Sequence, residues 1–132
     1  MKSAISPSGR YLINFVSAGE IKFGPVYFKL EIDGQVLKGR FFGDVAVWSS
    51  DSRYLAVQEW LTTDVQSGPY TSLTVFDMVD KKECQLSKLI YGWIIPMAFE
   101  NSKVIYRKHQ KDGLVNEFEI ELTQVYRWKS IF

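Results

Sequence analysis

His109 is the chain's single histidine and Cys84 its single cysteine. Any Ser-His-Asp or Cys-His arrangement would therefore have to be built on His109. That residue lies in the run Arg107-Lys108-His109-Gln110-Lys111-Asp112-Gly113. The polarity of the run predicts a solvated loop, and its basic setting does not suit His109 as a base paired with a carboxylate. One histidine and one cysteine far apart in sequence do not make a metal site, which needs a cluster of His, Cys and carboxylate ligands. Cys84 is expected on a strand without redox work, and a lone cysteine excludes an internal disulfide and fits a reducing compartment. Gly24-Pro25 and Gly68-Pro69 punctuate turns and do not form a glycine-rich phosphate loop. The expectation is a protein without cofactor, metal or catalytic residues, and not an enzyme.

Charged residues offer two further chemistries. Glu117, Glu119 and Glu121 alternate along one segment and so share one face of a strand. They are expected as a solvated outer face, or as an acidic stripe for a basic partner. Lys103, Arg107, Lys108 and Lys111 surround Tyr106, a combination that could stack and neutralise RNA. The chain carries 16 Lys and Arg against 15 Asp and Glu, a net charge of +1, so the basic excess of a general nucleic-acid binder is missing. Direct nucleic-acid contact is therefore not expected.

The elements that must position these residues follow from composition and repetition. A length of 132 residues suits a single domain, residues 1–132, with a core large enough to need no staple. Aromatic residues reach 15%, and with abundant Val and Ile this favours strands. The start of the chain lacks the apolar core of a signal peptide, and no apolar stretch is long enough to span a membrane, so a soluble, cytoplasmic protein is expected. Ser6-Pro7-Ser8-Gly9-Arg10-Tyr11-Leu12 matches Ser49-Ser50-Asp51-Ser52-Arg53-Tyr54-Leu55 at an offset of 43. Ile32-Asp33, Phe76-Asp77 and Ile120-Glu121 recur at an offset of 44, and Gly24-Pro25 and Gly68-Pro69 share it. A period of about 40–50 residues is that of a four-stranded propeller blade.

The fold class predicted is therefore all-β: three four-stranded antiparallel propeller-like blades, about 1–42, 43–90 and 91–132, forming an open half-propeller. In the second repeat the strands are expected at residues 45–48, 54–60, 70–77 and 84–89. Residues 54–57 are apolar on both faces, as an inner strand between two layers should be. Three blades are too few to close a ring, so the open ends must be met by a homodimer of six blades or by another partner. The long connections at residues 17–24, 62–69 and 109–115 fall at one end of such a wedge. Loops on a rigid scaffold are the usual seat of function. Glu20, Phe23, Asp44, Trp60, Asp64, Tyr70, Tyr91, Trp93 and Asp112 lie around them. Aromatic anchors mixed with carboxylates suit a basic protein partner.

The Ser49–Leu55 turn followed by Leu73-Thr74-Val75-Phe76-Asp77 resembles the blades of WD-repeat propellers, although the chain has no Gly-His pair and no Trp before Asp33 or Asp77. In size and three-blade architecture the whole chain resembles the half-propeller immunity proteins of bacterial contact-dependent growth inhibition, the type that neutralises an EndoU-like ribonuclease toxin. The resemblance implies a cytoplasmic protein that binds a cationic nuclease cleft and blocks it.

Overall fold

The computed structural model describes residues 2–21, 24–64, 66 and 68–132. Twelve antiparallel strands make up the described fold, with one short 3-10 turn at Leu122–Gln124. No helix in it is long and apolar enough to cross a membrane. The first repeat holds β1 (Lys2–Ile5), β2 (Leu12–Glu20), β3 (Val26–Ile32) and β4 (Gln35–Val36). The second holds β5 (Phe41–Trp48), β6 (Tyr54–Trp60), β7 (Tyr70–Asp77) and β8 (Lys82–Ile90). The third holds β9 (Gly92–Glu100), β10 (Lys103–Gln110), β11 (Val115–Glu121) and β12 (Lys129–Ser130).

The strands pair in the order β1-β2-β3-β5-β6-β7-β8-β12, with β4 on β3, to give a nine-stranded sheet. Its first two repeats are joined through one pair, Phe28 opposite Phe42. A separate three-stranded sheet has the order β11-β10-β9. Two expectations are corrected here. The layers are not three independent four-stranded sheets, and the third repeat keeps only three strands of its own. Its fourth, β12, leaves to pair with β8, setting Lys129 opposite Glu83. The reason is tertiary: Ile131 beyond it enters the core between the first and second repeats.

The repeat markers have a physical cause. Ser6 Oγ accepts the backbone N–H of Tyr11 at 3.0 Å, and Ser49 Oγ accepts that of Tyr54 at 2.9 Å. Asp33 accepts from Leu12 N–H, and Asp77 from the Arg53 guanidinium, so in the first two repeats the Asp at or just past the end of the third strand ties back to the residues around the start of the second. Ser8 N–H also donates to Ser52 Oγ at 2.8 Å, linking the matching turns of adjacent repeats.

The double-sided apolarity of the second repeat places it between two cores. Leu55, Val57 and Phe76 face the first repeat and pack with Ile13, Phe15 and Leu30. Tyr54, Ala56, Leu73 and Val75 face the other way and pack with Ile94, Val104 and Tyr106. Every residue of β6 is buried. Burial of this kind stabilises by roughly 25 cal/mol for each Å² of apolar surface removed from water.

Several boundaries differ from the sequence reading. Strand β5 begins at Phe41 and not at residue 45, and β8 runs from Lys82 to Ile90. Residues 17–20, expected in a loop, continue β2 across a bulge opposite β3. His109, Gln110 and Val115 are likewise strand residues, with His109 paired to Trp93 on one side and Val115 on the other. The polar run around His109 looked like a loop because β10 lies in a sheet whose outward face carries charge.

Candidate functional site

Four of the nine singled-out residues meet at the end of the molecule where β6 hands over to β7. Trp60, Asp64, Tyr70 and Trp93 line one cleft of about 120 Å³, together with Ile21 and Pro25. Asp44 lines an adjoining hollow that shares Trp60 and Trp93 with it. Tyr91 and Asp112 line a separate shallow groove beside Ile90 and Lys111. The two areas touch, because Tyr91's ring lies against Gly68, which borders the cleft. Glu20 is exposed at the end of β2 and lines neither. Phe23 falls outside the described residues.

The aromatic floor is continuous. Phe41, Tyr27, Trp60 and Trp93 form a chain with ring centroids 5.3, 5.4 and 5.2 Å apart. Trp60 is 6% exposed and so belongs mainly to the core. Its indole N–H donates to Gln58 Oε1 at 2.9 Å, while Gln58 Nε2 donates to the Ile94 carbonyl at 2.8 Å. Thr71 clamps the same strand: its hydroxyl donates to the Gly92 carbonyl and accepts the Ile94 N–H. Trp93 thus sits between two residues whose backbones are fixed from β7 and, at Ile94, from β6. Such buried, fully partnered polar groups make the position of a side chain unique. Gln58 and Thr71 were missed because a polar residue inside an apolar strand carries no pattern that says what it holds.

Tyr91 is the single residue between β8 and β9. Its φ is 58°, a left-handed conformation that is costly for a bulky residue, yet its side chain is 53% exposed. The ring has Lys111 Nζ 5.9 Å from its centroid. Asp44 meets Lys2 at 3.3 Å, with both groups open to water. Asp64 accepts the Gln66 N–H at 2.9 Å, as expected of a residue shaping its own loop.

A second polar constellation was not anticipated. Arg40 lies between Glu59 and Glu83, at 2.9 and 2.8 Å. The carboxylates are almost fully buried, with side chains 5% and 2% exposed, and the arginine keeps 24%. Thr74 and Gln85 also donate to Glu59. Burial pushes the Glu59 carboxyl up, but the bonds and charge of Arg40, with Thr74 and Gln85, outweigh it and hold the group below its ordinary range. Burial likewise works against the Arg40 charge, and its two carboxylate partners more than restore it. The cluster ties the start of β5 to β6 and β8 and leaves no group placed for acid or base work.

Two ion pairs join charged residues of the third repeat. Arg107 meets Glu117 at 3.1 Å and Lys103 meets Glu119 at 3.3 Å across β10 and β11. Glu121 accepts from the Ser102 hydroxyl and from Thr123, which lowers its carboxyl below the ordinary range, the Ser102 bond contributing most. Tyr106 is 4% exposed, inside the second core, so it offers no face to a base. Cys84 is buried, and burial pushes its thiol up, away from nucleophilic form. Among the described residues, no group of three His, Cys, Asp or Glu stands close enough to hold a metal ion. Comparison with protein-family models, with curated proteins and with solved structures returns no match for the chain. The fold is all-β, and one end of it carries a cleft lined by Trp60, Tyr70, Trp93 and one carboxylate, Asp64.

Proposed function

We propose that the chain is a protein-binding inhibitor, an immunity protein of half-propeller type that binds a cognate EndoU-like nuclease toxin and blocks its cationic cleft. The observation that carries the reading is the convergence at one end of Trp93, Tyr70 and Tyr91 with the carboxylates of Asp44, Asp64 and Asp112. Aromatic anchors with acidic neighbours suit a desolvated contact with a basic surface. In this reading the three layers are blades of an open half-propeller, the second packed between the first and third. The mechanism is steric and electrostatic and involves no covalent step. The nuclease acts in the cytoplasm and is bound there.

The test is inhibition of a purified EndoU-like nuclease by this protein at equimolar and tenfold excess. Complete loss of cleavage, restored by the double variant Trp93→Ala with Asp64→Lys, is the expected result. Cleavage undiminished at tenfold excess sinks the pairing.

A second reading, a six-bladed homodimer used as a scaffold, is favoured by Ile5 and Leu12. They are cross-strand partners on β1 and β2 and are both exposed. Closure would set that face of the first repeat against the outer face of the third, where Arg107–Glu117 and Lys103–Glu119 stand in water. Desolvating those pairs opposes it. A sedimentation run at high concentration decides: a mass of twice the monomer supports the scaffold, and a monomer removes it.

A further inference from the structure

We propose that the open edge of β11 receives an extended segment of a partner protein as an added antiparallel strand, and that this segment alternates basic with apolar residues. Among the described residues β11 pairs only with β10. The Gln110 N–H donates to the Leu114 carbonyl and the Leu122 N–H to the Ser102 carbonyl, one at each end of that ladder. An antiparallel ladder alternates bonded and non-bonded pairs. The bonded pairs between those ends are therefore Lys108 with Asn116, Tyr106 with Phe118 and Val104 with Ile120. The backbone N–H and C=O groups of Val115, Glu117 and Glu119 point the other way, out of the sheet, and all three residues are exposed.

Other edges are blunted. Strand β1 is four residues long, and β4 and β12 are two each. On the far side of the same small sheet, side chains occupy β9. Thr71 takes the Ile94 N–H and donates to the Gly92 carbonyl, and Gln58 donates to the Ile94 carbonyl. Strand β11 has seven residues, no proline, and an unbroken register with β10. A long, regular edge left open is a template for strand addition.

The side chains of β11 select the occupant. Antiparallel pairing with a second copy of β11 that engages all three outward residues sets Glu117 opposite Glu117 or Glu119, and like charges directly opposite are destabilising. A basic residue opposite each glutamate reverses the sign. The ion pairs to Arg107 and Lys103 engage Oε1 of Glu117 and Glu119, whose side chains stay 56% and 60% exposed, so a second cation can reach each carboxylate. On the opposite face Phe118 stacks on Tyr106 and remains 39% exposed, beside Ile120, which packs on the second core. Apolar residues of the added strand, alternating with its basic ones, would cover that ring.

The experiment uses the intact chain and a short peptide of alternating lysine and valine with blocked termini. Two control peptides accompany it. One carries glutamate in place of lysine. The other has the lysine backbone nitrogens methylated, which keeps the charge but removes the N–H groups that would meet the edge. Amide hydrogen exchange is followed in nitrogen-15 correlation spectra. In the free chain the amides of Val115, Glu117 and Glu119 should exchange at least roughly tenfold faster than those of Asn116, Phe118 and Ile120. The lysine peptide should slow the first three by at least roughly tenfold, saturably, and neither control should do so. Protection of those three amides in the free, dilute chain overturns the inference. So does the absence of any slowing with the lysine peptide, or equal slowing with either control. No residue of β11 lines the Trp60–Trp93 cleft, and no nuclease is present, so the outcome is separate from that of the inhibition assay.

Discussion

Replacing Arg40 by methionine keeps the length and packing of the stem and removes the charge between Glu59 and Glu83. Those carboxylates are 5% and 2% exposed, so water cannot take the guanidinium's place. Breaking a buried ion cluster by deleting one partner costs about 3–5 kcal/mol. That is a large part of the ~5–15 kcal/mol of a typical domain, and it corresponds to roughly 10–20 °C in melting temperature at this size. The pH dependence makes the prediction specific. In the intact protein Glu59 lies below its ordinary value of 4.5. Its contribution is therefore full above that value and is lost as pH falls through the lower folded one. In the variant, burial acts on Glu59 without the guanidinium to offset it, so the folded carboxyl rises above the unfolded one. The folded state then binds protons more readily, and stability increases as pH falls from 7 toward 5. Urea unfolding followed by circular dichroism at pH 7 and 5.5 measures both effects. A loss under 1 kcal/mol at pH 7, with no gain at pH 5.5, would refute the account of this cluster.

Gly43→Ala should be disproportionately harmful, because a Cβ there meets Gln58 Oε1 and lies 3.3 Å from Trp60 Nε1. Displacing Gln58 leaves buried groups of Trp60 and Ile94 without partners, a loss of about 1–3 kcal/mol by thermal melting, with a changed Trp60 fluorescence. Ser49→Ala strands the Tyr54 N–H in the same way and should cost a similar ~1–3 kcal/mol in urea unfolding. Tyr91→Gly should change stability by less than ~1 kcal/mol, since relief at φ 58° offsets the lost ring contacts. If the proposed inhibition of a nuclease holds, the same change should weaken that binding at least tenfold in calorimetry, because the exposed ring is gone.

The second repeat was legible because its signals agree. Serines and aspartate mark the turn before Tyr54, and the apolar run is flanked on both sides by loop residues, so Tyr54–Trp60 and Tyr70–Asp77 were found at their true bounds. The cleft was legible as a set of types: Trp60, Asp64, Tyr70 and Trp93 lie near loop ends in sequence, and the fold brings them together. Glu20 was placed there too, but it ends β2 exposed to water and does not line the cleft, although its neighbour Ile21 does. The buried cluster was not legible, because Arg40, Glu59 and Glu83 look like three surface charges until β5, β6 and β8 stand side by side. The path of β12 was hidden for a related reason: a two-residue pairing has no pattern of its own and is decided by where Ile131 can be buried.

That last segment has a consequence for how the molecule comes apart. Stacked repeats ordinarily behave as a chain of neighbours, each able to fray while the rest hold. Here Val125 and Trp128 are packed against one core, and Ile131, six residues beyond Val125, is buried in the other. The Ile131 N–H is also bonded to the Lys81 carbonyl at the turn between β7 and β8. The short tether makes the outer layer and the opposite interface share one fate. Loosening either pulls the same few residues free, so the expected outcome is that the slowest amides of both cores exchange with similar free energies, and clearly different values would show that the layers open separately.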